Sequence, residues 1–180
     1  SAYRHLGTSA SDRDESIRYY EAALARRSPS EDIYEYVGTK LNLANVFCER
    51  PRGEEELRRA IREYEECLDL INASDSPSQW AMVHNNLGGT YLSVRAGTGD
   101  DIEKALHHLE IALRYRPREI NPHSCARTHY LLGLAYMRRT RGDSARNKED
   151  AVRHLETALE VLTRAETPVE YQRVVAALAH

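Results

Sequence analysis

The sequence is poor in the features that mark membrane, secreted or cofactor-loaded proteins. It has one Trp, one Phe and two Met in 180 residues. No apolar run nears the roughly 20 residues that a membrane-spanning helix requires. The opening, SAYRHLGTSASD, has neither the basic start nor the apolar stretch of a secretory signal. The three cysteines, Cys48, Cys67 and Cys125, are far apart and form no CxxC pair. That favours reduced thiols over a disulfide framework and leads to a cytoplasmic expectation. A dominant charge is lacking too: the net charge is −3 although 29% of residues are charged, so the chain is no polyelectrolyte.

Chemistry-bearing motifs are scarce as well. The glycine-containing GTGDD, residues 97–101, has no strand before it and no Lys-Ser/Thr after it, so it does not read as a phosphate loop. His123 and Cys125 are the nearest approach to a metal pair, and no third and fourth ligands stand at convincing spacing. A Cys-His nucleophile would need a base and an orienting group in a cleft, and no such arrangement is visible. The expectation is a non-enzyme without cofactor or metal. The eight histidines are read as structural.

What is present is repetition. Leu24, Leu68, Leu113 and Leu159 are separated by 44, 45 and 46 residues, and so are Leu43, Leu87, Leu132 and Leu178. Each leucine of the first set precedes one of the second by 19. Other columns fall in register: Tyr3, Phe47, Tyr91 and Tyr136; Tyr36, Trp80, Cys125 and Tyr171; Ser16, Ala60, Ala105 and Ala151. Four aligned registers over the whole chain establish a unit that occurs about four times.

Each unit reads as two helices. LNLANVF, HNNLGGTY and YLLGLAY carry small and apolar residues at i, i+3, i+4 spacing. DDIEKALHHLEIAL does the same with charges on its outer side. Asp32, Ser76, Asn121 and Thr167 share a position and are all N-cap types, three of them followed by Pro. Glu35, Gln79 and Glu170, three residues on, complete a capping-box pattern. The other connection, from the aromatic column to the next small residue, grows from 13 to 15 residues and collects Gly, Ser and charge. Variation in repeat length is absorbed in these surface turns. Gly88 and Gly133 are expected where one helix approaches another closely. Arg141-Gly142-Asp143 is expected to be a turn.

Helix pairs with Leu87-Gly88-Tyr91 and Ala105-Leu109-Ala112, or Leu132-Gly133-Tyr136 and Ala151-Leu155-Ala158, resemble tetratricopeptide (TPR) repeats. The family's unit is ~34 residues, so these copies are long, which implies longer helices and a modified superhelix. The resemblance implies an all-α fold: an α-solenoid of about four antiparallel helix pairs over residues 1–180. Residues 141–174 resemble the long-period arrays of bacteria that often adjoin a CHAT peptidase domain or a signal-transduction ATPase. Asn85-Asn86 resembles the helix asparagines of kinesin light chain arrays, which bind cargo peptides. Ala2-Tyr3 reads as the tail of a first helix, and residues 174–180 read as part of another. The expectation is therefore a segment of a longer repeat protein.

What the family resemblance implies for function is a protein or peptide partner held on the concave first-helix surface. The positions that would point inward are Gly38, Leu41, Asn45 and Cys48; Met82, Asn85, Gly89 and Leu92; Arg127, Tyr130, Leu134 and Met137. Of these, Asn45, Met82, Asn85, Arg127, Tyr130, Leu134 and Met137 are the candidate peptide-binding set. Amides bond a peptide backbone, while Met and Tyr give adaptable apolar contact. The bland alternative is that several of them only pack first helices together. A second functional reading is a regulatory segment of a larger peptidase or ATPase of the kinds named above. The arginines of residues 114–118 and 138–141 would lie ~27 Å apart across an ~18-residue helix. Two separate rims rather than one nucleic-acid patch are expected, and neither nucleic acid nor membrane is expected as a partner.

Overall fold

A computed structural model describes residues 10–49, 51–94, 98–116 and 118–179. Among them are eight helices and no strand: α1 (Ala10–Arg26), α2 (Ile33–Glu49), α3 (Glu54–Leu70), α4 (Pro77–Ser93), α5 (Gly99–Arg114), α6 (Pro122–Arg138), α7 (Ser144–Leu159) and α8 (Pro168–Leu178). The fold is all-α, with helix pairs packed in succession as in an α-solenoid of helical repeats. The expectation for Ala2 and Tyr3 lies outside the described residues. The chain divides into two compact units, Ser1–Ser76 and Pro77–His180.

In the first unit α1 packs on α2 and α2 on α3. The acidic cap expected at α2 forms: the Glu35 N–H donates to Asp32 Oδ1 over 3.0 Å. Val37, Leu41, Leu43, Ala44 and Phe47 of α2 meet Leu57, Ala60, Ile61, Tyr64 and Cys67 of α3 in a buried core. The Cys67 thiol is sealed there, and burial pushes its pKa up to about 12, so it is an inert small core residue. Lys40 is buried with its Nζ at 2.6 Å from Glu63 and 2.5 Å from Glu66. Burial alone would lower its pKa; the hydrogen bonds it donates to the two carboxylates win and push it up to about 12.

In the second unit α4, α5, α6, α7 and α8 pack in chain order, and α4 also touches α6. Contacts of His84 with His108, Gly88 with Ala105 and Tyr91 with Lys104 run in opposite directions along α4 and α5, so the pair is antiparallel. Asn121 caps α6 by accepting from the Ser124 N–H at 3.1 Å, and Pro122 follows at the first helical position. Asp143 caps α7 through the Arg146 N–H at 2.8 Å. Gly142, just before it, turns the chain at φ 81, a left-handed value that favours glycine. The fourth cap departs from expectation. The Thr167 hydroxyl donates back to the Thr163 carbonyl, and its side chain does not cap α8. A carboxylate reaching back to its cap residue forms instead at α5, where Asp101 accepts from the Thr98 N–H at 2.9 Å.

The repeat register holds in three dimensions. Leu43, Leu87 and Leu132 are 1%, 0% and 0% exposed. The small residue after each is equally constrained. A Cβ on Gly88 would stand 2.7 Å from Leu109 Cγ and 3.1 Å from the Ala105 carbonyl oxygen. On Gly133 it would stand 2.6 Å from Leu155 Cγ and 3.2 Å from the Ala151 oxygen. These glycines let the two helix backbones approach, as their place in the repeat predicts.

Candidate protein-interaction surface

The candidate residues divide sharply by environment. In the first unit Leu41 is core, and half-buried Asn45 accepts from the Tyr64 hydroxyl at 2.6 Å. Cys48 is half-buried, 3.9 Å from the same hydroxyl. Nothing stands within 4 Å of a Cβ built on Gly38. In the second unit Leu92 is buried. Asn85 is 7% exposed, and its Oδ1 accepts a 2.8 Å bond from Thr128, itself fully buried. The amide expected to meet a peptide backbone is thus engaged in joining α4 to α6. Asn85 follows the bland alternative of packing first helices together.

The rest of the α6 stripe stays at the surface. Arg127 is exposed, Tyr130 and Leu134 are half-buried, and Met137 is 40% exposed. Tyr130 and Leu134 rest on the core of Ala126, Leu155, Ala158, Leu162, Val174 and Ala177, so their positions are fixed from below. Burial raises the Tyr130 phenol above its ordinary pKa and keeps the hydroxyl a donor. Met82 on α4 is 38% exposed. At the N-terminal end of this stripe lies an open cleft of about 480 Å³ lined by His123, Arg127, Leu162, Glu166, Thr167 and Glu170. The exposed side of α6 thereby runs from a cleft of mixed charge to an apolar methionine.

The arginines that flank α6 are largely paired. Arg139 grips Glu103 with two hydrogen bonds of 2.8 Å, Arg118 meets Glu160 at 2.5 Å, and Arg141 pairs with Asp100. Arg138 reaches the Leu92 carbonyl. They stand before and after α6, at the two rims that the sequence pattern predicts.

One arrangement escapes the sequence reading. His84 Nδ1 lies 2.9 Å from His108 Nδ1, and His129 Nδ1 lies 2.8 Å from His154 Nδ1. The two pairs are one repeat apart and bridge α4 to α5 and α6 to α7. Tyr91 stacks on His108 and Tyr136 on His154. In α2 and α3 the same two positions hold Lys40 and Glu63. A neutral His pair shares a single proton along its bond, and His84 Nε2 has no hydrogen-bond partner although it is buried. Burial first, then neighbouring positive charge, lowers the pKa of His84, His108 and His154 to about 4. Such imidazoles are neutral packing elements at pH 7. Among the described residues, no group of three or more His, Cys, Asp or Glu is placed to hold a metal ion.

Fold and site together define an all-α helical-repeat chain whose second unit displays a structured side-chain stripe beside a polar cleft. No protein-family model matches the sequence, and a search of curated proteins finds no match for it. No helix among the described residues is long and apolar enough to cross a membrane.

Proposed function

We propose that this chain is a non-catalytic protein-interaction scaffold of the tetratricopeptide kind, which binds an extended peptide segment on the first-helix surface of its second unit. The observation that supports this most directly is the α6 stripe. Arg127, Tyr130, Leu134 and Met137 follow one helical face, stay accessible, and are held by a packed core beneath two of them. Preformed surface side chains keep the ordering cost of binding low. Arg127 and His123 on one side of the cleft and Glu166 and Glu170 on the other suit a segment carrying both charge signs. Tyr130 and Met137 supply aromatic and adaptable apolar contact, the residue types that dominate binding energies. Asn85 belongs to the scaffold rather than to the contact. In this reading the histidine pairs and Lys40 set the geometry of the helix pairs.

The test is selection of phage-displayed peptides on the purified chain, followed by titration of the selected peptides against variants. Tyr130→Ala and Arg127→Ala are each expected to weaken binding by about 1–2 kcal/mol, while exposed second-helix changes such as His107→Ala leave it unchanged. Peptides indifferent to both α6 variants contradict the assignment.

A further inference from the structure

One point of the repeat carries an ion pair in the first copy and only half of it in the fourth. Arg27, Ile71, Arg116 and Leu162 share a repeat position, and Glu35, Gln79, Ser124 and Glu170 share the position 8 residues on. In the first copy Arg27 Nη2 lies 2.9 Å from Glu35 Oε1, and its Nη1 donates to the Thr39 hydroxyl at 3.4 Å. In the second, apolar Ile71 stands with neutral Gln79. In the third, Arg116 Nη1 donates to the Ser124 carbonyl at 3.5 Å. The fourth copy breaks the match. It keeps the acid, Glu170, and has Leu162 where the arginine stood. Leu162 is buried in the core beside Val174, the counterpart of Thr39, and offers the carboxylate no partner.

A second acidic position agrees. Glu31, Asp75, Ile120 and Glu166 are equivalent. Glu31 accepts from the Ser28 N–H at 3.4 Å, and Asp75 from the Asn72 amide at 2.7 Å. Among the described residues no ion pair or hydrogen bond reaches the carboxylate of Glu166 or of Glu170. Both line the cleft of about 480 Å³, with Arg127 and His123 on its other side. The Glu170 position faces away from the second helix of its own copy. The Glu35 side chain is 58% exposed with α3 packed on α2, and Gln79 and Ser124 are only half-buried with α5 and α7 in place.

We propose, building on the peptide-binding reading, that the bound segment places an arginine side chain in this cleft, its guanidinium between Glu166 and Glu170 in the role that Arg27 plays for Glu35. The guest is thus of the kind that the chain itself supplies at the same place in its first copy. Two carboxylates on one wall suit the planar fork of five guanidinium donors better than the point charge of an ammonium. Arg127 is left for an acidic group of the same segment. From Arg127 to Leu134 and Met137 the α6 axis runs about 10–15 Å, which an extended chain spans in about three to five residues. An apolar residue is therefore expected at that distance from the arginine.

The experiment has two arms, and the first needs no peptide. N-acetylarginine methylamide is titrated to about 20 mM against the chain's amide NMR signals, a range that covers a dissociation constant of about 1 mM. Shifts are expected at Glu166, Thr167 and Glu170. They should shrink with the lysine analogue, vanish with the neutral citrulline analogue, and vanish in the double change Glu166→Gln and Glu170→Gln. In the second arm the phage-selected peptides are remade with citrulline for arginine. Binding is expected to weaken about tenfold, and about two- to fivefold in each single Glu→Gln variant of the chain. Absence of arginine-specific shifts at the cleft overturns the proposal. Peptides that depend on Tyr130 yet ignore both citrulline and Glu170→Gln also overturn it and leave the peptide-binding reading standing. Arginine-specific shifts at the cleft, together with peptides indifferent to Tyr130→Ala and Arg127→Ala, uphold the guanidinium site and remove the α6 binding surface instead.

Discussion

Gly88→Ala and Gly38→Ala make the same chemical change in two helices and should move stability in opposite directions. Both exchange glycine for the best helix former, a gain of about 0.8–1 kcal/mol in a helix interior. At Gly38 nothing stands within 4 Å of the new methyl, so most of that gain should survive. At Gly88 the methyl arrives 2.7 Å from Leu109 Cγ and 3.1 Å from the Ala105 carbonyl oxygen. Leu109 is fully buried, its Cγ is the branch point and not a flexible tip, and Ala105 offers backbone. Relief therefore requires α4 and α5 to separate, an overpacking penalty of about 1–3 kcal/mol. Helix propensity cancels in the comparison, so Gly88→Ala should lie about 1–3 kcal/mol below Gly38→Ala. Urea unfolding followed by circular dichroism at 222 nm reads the difference, and Gly133→Ala should behave as Gly88→Ala does. If Gly88→Ala equals or exceeds Gly38→Ala in stability, the close approach of the two helices is refuted.

Leu87→Ala truncates a fully buried side chain and should cost about 2–5 kcal/mol in the same unfolding assay. Lys40→Ala leaves half-buried Glu63 with only Arg59, at 4.0 Å, and should cost about 2 kcal/mol, less than a fully buried pair because Glu66 faces water; Lys40→Met with Glu63→Leu should recover it. The histidine pairs predict a pH dependence. The folded-state pKa values of His84, His108 and His154, near 4, lie below the unfolded value of about 6.5, and burial lowers that of His129 in the same direction, so the unfolded chain binds more protons in between. Stability should be fully present above pH ~6.5 and fall as pH drops toward ~4, by ~1.4 kcal/mol for each unit by which a histidine's pKa is held down. The double change His84→Leu and His108→Leu should flatten part of that slope in thermal unfolding across this range.

The sequence carried the repeat register, and with it the buried leucine column, the glycine contacts and the two arginine rims. These are legible because they recur at one spacing and depend on one helix face at a time. The histidine pairs were half visible. His84 and His129 share a column, and His108 and His154 share another, but joining the columns needs the phase at which two antiparallel helices meet. Asn85 illustrates a second limit. Its place on α4 is legible, yet whether it meets solvent or Thr128 depends on how closely α4 and α6 approach. The shift of the carboxylate cap to Asp101 has the same origin. Capping patterns are degenerate, and several starts compete until the chain is folded.

Amide hydrogen exchange of the chain with and without a phage-selected peptide reads the proposed binding surface on α6. Added protection is expected on α6 and the N-terminal turns of α8, around Arg127, Tyr130 and Glu170. Exchange in the second helices α5 and α7 is expected to be unchanged. Protection that falls on α5 and α7, or on residues 138–143, with α6 unaffected would contradict the assignment.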